Sequence, residues 1–83
     1  MSVLLYPLNT EKAISLIDKA NTITFIVADA ATKKQVKEEF ERLFKVKVKS
    51  VNISNTFLEG KKAYIKLEKD YKASDIAVKL KLA

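Results

Sequence analysis

Cysteine and histidine are absent from this 83-residue sequence, and glycine and proline occur once each. The two absences exclude disulfides, thiol catalysis, imidazole acid–base chemistry and the usual ligand sets of zinc. One glycine cannot build a phosphate-binding glycine loop. The acidic residues are scattered and form no convincing acid–base pair. We therefore expect a protein that is not an enzyme and that uses no metal and no cofactor.

Long apolar runs are also missing. No apolar stretch approaches the ~20 residues that a membrane span needs, and the opening at residues 1–7 is too short and uncharged for a signal peptide. We expect a cytoplasmic protein without membrane insertion. Because 48% of the residues are apolar and no flexible linker is present, a single domain over residues 1–83 with one modest core is predicted.

Positive charge is abundant and unevenly distributed. The formal net charge is +6; residues 1–30 carry two lysines and three acids, whereas residues 31–83 carry fourteen basic and seven acidic residues. A basic domain of this size is typical of proteins with a polyanionic partner, most often nucleic acid. Arg42 is the single arginine, and lysine binds phosphate as a point charge, which favours backbone contacts over the reading of base edges.

Apolar periodicity predicts the element order (β)αβαββα. The predicted elements are an edge strand at 3–6, a helix between Thr10 and Asn21, strand 22–28, helix 33–44, a strand from Lys45, strand 62–68, and a helix capped by Ser74 that ends at Leu82. Residues 54–61 are expected to connect the last two strands as a hairpin. This order favours an α+β fold, in which a small, mostly antiparallel sheet of about four strands packs with two to three helices.

Residues 45–49 alternate strictly between lysine and valine, which is typical of a strand. The alternation breaks at Ser50. Val51 and Ile53 stand at odd-numbered positions, as the preceding lysines do, whereas the preceding valines stand at even-numbered positions. Either a bulge lies near Ser50 or both faces of the sheet are covered. The stripe of Val36, Phe40, Leu43 and Phe44 is expected to face the core.

The second predicted helix begins with charges that oppose its dipole. Thr32 and Gln35 form a capping box, and the turn that follows carries Lys33, Lys34 and Lys37, each unfavourable there by a few tenths of a kcal/mol. Two explanations are open. A phosphate bound at the helix start would resolve the conflict, or the face is simply solvated, with the i,i+4 pairs Lys34–Glu38, Lys37–Glu41 and Glu38–Arg42.

Two further rows of lysines follow the predicted strands. Lys45, Lys47 and Lys49 form one row, and Lys61, Lys62 and Lys66 form the other. Tyr64 lies between Lys62 and Lys66, where it either stacks on a sugar or base or packs across the strands. Each row alone is explained better by edge protection and solubility, but three basic clusters in one small domain favour RNA or DNA as the partner.

The first predicted helix has an acidic outer face. Glu11, Ser15 and Asp18 lie opposite its apolar stripe, and Leu16 lies at the edge of that stripe, partly exposed. A compact acidic surface on a basic protein is suited to docking another protein.

Five segments between residues 7 and 67 resemble, in the right order, the motifs of one family. They are Pro7–Ala13 ("P-x-x-[ST]-E-K-A"), Asn21–Val27 ("N-x-[IL]-x-F-x-V"), Ala31–Lys37 ("A-T-K-x-x-[IV]-K"), Phe44–Asn52 ("F-x-V-x-V-x-x-V-N") and Lys61–Leu67 ("K-K-A-Y-[VI]-x-L"). Together they are similar to the universal large-subunit ribosomal protein twenty-three family, and Tyr71 to Leu82 resembles its archaeal branch.

The resemblance implies a four-stranded antiparallel sheet with helices packed on it, in a structural constituent of the large ribosomal subunit. It further implies binding to large-subunit rRNA, chiefly the third domain, beside the polypeptide tunnel exit. The implied partners there are neighbouring ribosomal proteins and the factors that meet the nascent chain, namely signal recognition particle and the translocon. The alternative is a free-standing, non-ribosomal RNA-binding domain.

The candidate site residues follow from the charge pattern and the resemblance together. Glu11 matches the family's chaperone-docking acid, and in an archaeal member it is expected to face signal recognition particle together with Ser15, Leu16 and Asp18. Asn52 and Tyr64 are expected to add hydrogen bonding or stacking to the phosphate contacts. The candidate rRNA-binding residues are Lys12, Lys33, Lys34, Lys37, Lys45, Lys47, Lys49, Asn52, Lys61, Lys62 and Tyr64.

One departure from the family concerns the segment between its "V-N" and "K-K-A-Y" motifs. Many bacterial members carry a long basic arm there that reaches into the tunnel. Here only Ile53 to Gly60 separate the two motifs, so the chain is not expected to line the tunnel deeply.

Overall fold

The computed structural model describes residues 3–56 and 60–81. Its elements are β1 (Leu4–Pro7), α1 (Glu11–Ala20), β2 (Thr22–Val27), α2 (Lys33–Phe44), β3 (Val48–Thr56), β4 (Gly60–Leu67) and α3 (Ala73–Lys79). The predicted α+β fold and its element order are confirmed. The expectations for Phe57 and Leu58 in the hairpin, and for Leu82 at the end of the last helix, lie outside the described residues.

Local capping sets the ends of the first two helices. The Ala13 N–H donates to Thr10 Oγ1 at 3.2 Å, and Asn21 ends α1 in the left-handed region with φ 51°. At the start of α2 the Gln35 N–H donates to Thr32 Oγ1 at 3.2 Å, and the Thr32 N–H donates to Gln35 Oε1 at 3.0 Å. Both predicted helices and the predicted capping box are therefore confirmed.

The four strands form one antiparallel sheet in the order β1-β2-β4-β3. Ile23 pairs with Ile65, and Phe25 pairs with Ala63, so these side chains share one face. That face packs against the helices and forms the core, to which every helix and strand contributes. The alternation predicted for β2 and β4 is thus confirmed, with Lys62, Tyr64 and Lys66 on the opposite face.

Three aromatic rings join α2 to the sheet. The Phe25 and Phe40 ring centroids are 6.0 Å apart in an edge-to-face arrangement, and those of Phe40 and Phe44 are 4.6 Å apart. Val36 and Phe40 are fully buried, as predicted. Leu43 is 55% exposed, so its assignment to the core stripe was wrong, because Phe40 and Phe44 are the residues of that turn that meet the sheet.

The strand predicted from Lys45 begins later, at Val48. Lys45 ends α2 in the left-handed region with φ 56°, and its N–H donates to the Glu41 carbonyl. Lys45 and Lys47 therefore precede the strand, and the prediction from their alternation was wrong. Of the two explanations for the break in alternation at Ser50, the bulge is the one that the structure shows. The β3–β4 register shifts between Val48 and Ser50, and this shift lets both Val48 and Val51 face the core.

Two predicted boundaries near the C-terminus also differ. The hairpin is tighter than residues 54–61, since β3 runs to Thr56 and β4 starts at Gly60. Ser74 does not cap the last helix, because α3 begins one residue earlier and Lys72 at its N-cap position makes no side-chain capping bond. Instead, Asn21 Oδ1 accepts a 2.7 Å hydrogen bond from the Ala73 N–H. No helix within the described ranges has the length and apolar character needed to cross a membrane.

Candidate nucleic-acid interface

The sheet face opposite the helices is polar and carries no acidic side chain in the described strands. Following the register across the sheet, its side chains form three rows: Tyr6–Ile26–Lys62–Ser54, Thr24–Tyr64–Asn52, and Thr22–Lys66–Ser50. We call this surface the open face. Its lysines and its two aromatic rings are features of surfaces that bind single-stranded RNA.

A shallow depression with about 20 Å³ of accessible space lies beside Tyr64 on the open face. The helix α1 runs beside β2 and contributes to both faces of the sheet: Ile17 joins the core, whereas Leu16 lines the depression. Lys12 and Lys62 line it as well. The structure therefore brings together three of the predicted RNA-binding residues, and Asn52 pairs with Tyr64 on the next strand.

Thr24 differs from its neighbour Thr22 on the same strand and the same face. Both side chains are buried, with Thr24 3% exposed. The Thr22 hydroxyl donates to the Ala20 carbonyl at 2.8 Å. The Thr24 hydroxyl has no hydrogen-bond partner among the described residues, although Thr24 lines the depression. A buried hydroxyl without a partner is uncommon and costs free energy.

The start of α2 forms a second basic surface, the α2 corner, made of Lys33, Lys34, Lys37 and Lys61. The Lys61 ammonium donates to the carbonyls of Asp29 at 2.8 Å and Ala31 at 3.1 Å. It is thereby held against the loop that leads into α2. Because Lys62 follows on the open face, the α2 corner and the open face meet at the start of β4.

The described contacts leave both explanations of the α2 lysines open, although the ion pairs of the solvated-face explanation do not form. None of the three predicted pairs, Lys34–Glu38, Lys37–Glu41 and Glu38–Arg42, forms between these described residues. Lys33, Lys34 and Lys37 are exposed and make no ion pair within the described residues.

Two acids of α2 instead hold the fold together. Glu39 is 8% exposed, and its Oε2 accepts hydrogen bonds from the Val3 N–H at 3.1 Å and the Leu4 N–H at 2.9 Å. Glu41 Oε2 accepts from the Val48 N–H at 2.9 Å. The position of these acids late in α2 is therefore explained by the strand starts that they bind, whereas the lysines at its beginning have no such internal role.

The row predicted from Lys45, Lys47 and Lys49 does not form. Lys45 belongs to the end of α2, and the bulge interrupts the alternation. Lys47 and Lys49 line a cleft at the opposite end of the sheet from the α2 corner, together with Glu68, Lys69, Asp70 and Tyr71. This third basic region is mixed in charge and separate from the other two.

The predicted docking residues on α1 divide into two groups. Glu11 and Asp18 are exposed and Ser15 is half-buried, and they share one side of the helix. Leu16 lies about 160° from Asp18 around the helix at ~100° per residue, and it lines the depression beside Tyr64. The structure therefore brings Glu11, Ser15 and Asp18 together but places Leu16 on the open face.

Sequence reasoning missed Tyr6 and Thr24. Tyr6 is 51% exposed and pairs with Ile26 in the row that contains Lys62. Strand alternation would place Tyr6 on the same face as the buried Leu4. The register shift between these two residues turns Tyr6 to the open face instead, and no local pattern in the sequence marks that shift. Nothing in the sequence marks Thr24, because its lack of a partner depends on packing.

No group of histidine, cysteine, aspartate and glutamate side chains that could hold a metal ion occurs in residues 3–56 and 60–81.

Comparison with known proteins gives a direct match. The family model for Ribosomal protein L23 matches residues 2–73. The large ribosomal subunit protein uL23 of Methanothermobacter thermautotrophicus is 49% identical over 79 residues, which cover 95% of this chain and 92% of that protein. The chain therefore belongs to the Ribosomal protein L23 family, a family of ribosomal structural proteins and not of enzymes.

Proposed function

We propose that this chain is a structural constituent of the large ribosomal subunit in the cytoplasm, and that it binds large-subunit rRNA as a single domain near the polypeptide tunnel exit. Family membership supports the ribosomal assignment. One observation carries the RNA-binding part: the open face, whose described strands carry no acid, is continuous with the exposed lysines of the α2 corner. Neighbouring ribosomal proteins are the other expected partners.

The α2 corner is proposed to hold RNA phosphates. Its lysines oppose the helix dipole in the free protein, and a phosphate at the helix start would reverse that cost because free N–H groups and ammonium groups would face it together. Lys61 is already held beside the helix start by the carbonyls of Asp29 and Ala31. Lys12 and Lys62 would continue these phosphate contacts onto the open face.

A triple substitution tests the corner. Lys33, Lys34 and Lys37 are all changed to Ala, and affinity is measured for a transcript of the third domain of large-subunit rRNA and for a scrambled RNA of equal length. The charge-matched control changes Lys72, Lys79 and Lys81 to Ala. If the three corner lysines contact phosphates, the slope of log K against log salt should fall by about 2 to 3 in the corner variant. An unchanged slope, or an equal loss in the control, would refute the phosphate corner.

The acidic side of α1 is proposed to dock factors that meet the nascent chain, signal recognition particle and the translocon among them. Glu11, Ser15 and Asp18 present a compact acidic surface on a basic protein. Glu11→Ala should weaken recruitment of signal recognition particle to assembled ribosomes and leave subunit assembly intact. Glu38→Ala, which removes an exposed acid from α2, is the matched control. Recruitment that is undiminished in Glu11→Ala ribosomes would contradict this role.

Sedimentation of cell extract on a sucrose gradient separates the ribosomal function from a free-standing RNA-binding domain. The chain should co-sediment with the large subunit and remain there at salt concentrations that strip loosely bound RNA-binding proteins. Recovery mainly at the top of the gradient would instead favour the free-standing alternative. The short β3–β4 connection further suggests that the chain stays outside the deep part of the tunnel.

A further inference from the structure

We propose that the depression beside Tyr64 is a subsite for one unpaired nucleotide of the bound RNA, with the Thr24 hydroxyl as the group that recognises it. This inference rests on the proposed RNA-binding function and deepens it. Its central observation is that Thr24 is almost fully buried on the open face, lines the depression and has no partner for its hydroxyl in residues 3–56 and 60–81.

The lining of the depression fits a nucleotide. Tyr64 lines it, and Leu8 and Leu16 add apolar surface on which the face of a base can pack. Lys12 and Lys62 line the same depression, where their ammonium groups suit the attached phosphates. The depression is shallow, with about 20 Å³ of accessible space, so a base lies over it and not inside it. A base that packs on side chains in this way must be unpaired and unstacked.

The hydroxyl supplies the polar contact that a stacking platform lacks. A base or ribose offers both donors and acceptors, and a threonine hydroxyl can serve as either. The Thr24 oxygen is occluded in the free protein, so contact requires a small movement of a side chain that lines the depression. Half-exposed side chains make such movements on fast timescales. The free energy that the unpartnered hydroxyl costs in the free protein would then be recovered when RNA is bound.

This assignment gives Thr24→Val an unusual signature. Removal of an unpartnered buried hydroxyl should leave the free protein as stable as before or make it more stable. The same change should weaken RNA binding by roughly 2- to 10-fold, the value of one lost hydrogen bond. Thr22→Val is the matched control on the same strand and face. It removes a hydroxyl that donates to the Ala20 carbonyl, so it should lower stability and weaken RNA binding less than Thr24→Val does.

The experiment uses the full chain with the rRNA transcript and combines affinity measurement, urea denaturation and base-specific chemical probing of the RNA. The variants are Thr24→Val, Thr22→Val and Tyr64→Leu. Tyr64→Leu should weaken binding on the order of 5- to 150-fold, as expected for one lost stacking contact. In the wild-type complex one unpaired nucleotide should be protected, and Tyr64→Leu should expose that nucleotide while other protections persist.

The possible failures are distinguishable. Absence of specific binding by the wild-type chain would overturn the proposed function itself. Specific binding with the wild-type affinity and protections retained in both Thr24→Val and Tyr64→Leu would overturn the subsite alone. Equal weakening by Thr24→Val and Thr22→Val would also overturn it, because the effect would then follow strand packing and not the hydroxyl in the depression.

Discussion

Replacement of Asn21 is expected to loosen the attachment of α3 and to separate two contributions to stability. Asn21 Nδ2 donates to the Tyr71 carbonyl at 2.8 Å, and its Oδ1 accepts from the Ala73 N–H at 2.7 Å. The residue therefore ties the end of α1 to the start of α3, 52 positions along the chain. Its backbone also adopts the left-handed region with φ 51°.

The magnitude follows from these two features. Loss of the two short hydrogen bonds should cost about 0.5–1.5 kcal/mol each. Alanine in the left-handed region adds about 1 kcal/mol, so Asn21→Ala should lower the free energy of unfolding by about 2–4 kcal/mol. Glycine adopts this backbone without strain, and Asn21→Gly should therefore lose only the side-chain bonds, about 1–3 kcal/mol.

Urea denaturation of the wild-type protein, Asn21→Ala and Asn21→Gly measures these differences in the free energy of unfolding. Hydrogen exchange shows which part of the structure is affected. The Ala73 amide and the amides of α3 should exchange faster in both variants relative to those of the β2–β4 ladder. Equal destabilisation by Ala and Gly would refute the backbone contribution. A loss below about 0.5 kcal/mol in Asn21→Gly, with α3 protection unchanged, would show that these two hydrogen bonds do not hold the helix.

Substitutions at three other residues test the fold. Glu39→Gln should lower the free energy of unfolding by about 1.5–3 kcal/mol, because the charge-assisted hydrogen bonds from the Val3 and Leu4 amides are weakened. Hydrogen exchange checks this: the Leu4 amide should lose protection, and retained protection would contradict the prediction. Gly60→Ala should lower the free energy of unfolding by about 1 kcal/mol, because the φ of +87° at this position is strained for alanine. No atom crowds the added Cβ, so Gly60→Asn, which tolerates this φ better, should cost less; equal melting temperatures for both variants would argue against this reason. Phe40→Ala should cost about 3–5 kcal/mol because it empties the aromatic cluster, and a urea midpoint near that of wild type would contradict this packing.

Residue patterns confined to one or two helical turns were sufficient to predict most of the helical structure. The capping box of Thr32 and Gln35 and the caps at Thr10 and Asn21 are formed by residues close in sequence. Alternation in β2 and β4 correctly separated the core face from the open face, and for that reason Lys62 and Tyr64 were correctly placed together on one side. The convergence of Lys12 on the same surface needed the position of α1 beside β2, which no local pattern specifies.

The predictions that failed depended on distant partners. Residues 45–49 alternate as a strand does, but Lys45 ends α2. Alternation alone does not make a strand, because a segment also needs a neighbouring strand with which to pair. Ser74 has the composition of a cap, yet Asn21 satisfies the first amide of α3 from 52 residues away. The burial of Glu39 and the unpartnered hydroxyl of Thr24 likewise arise from packing between elements distant in sequence.

The position of β4 within the sheet has a consequence for the order of folding. β4 is among the last elements of the chain, yet it lies between β2 and β3 and supplies the pairing for both. Until residues 60–67 have left the ribosome, β2 can pair only with the short strand β1, and β3 has no strand beside it. Chain folding that pairs distant strands is slow. Synthesis of this protein should therefore be nearly complete before its sheet, and with it the open face, can form.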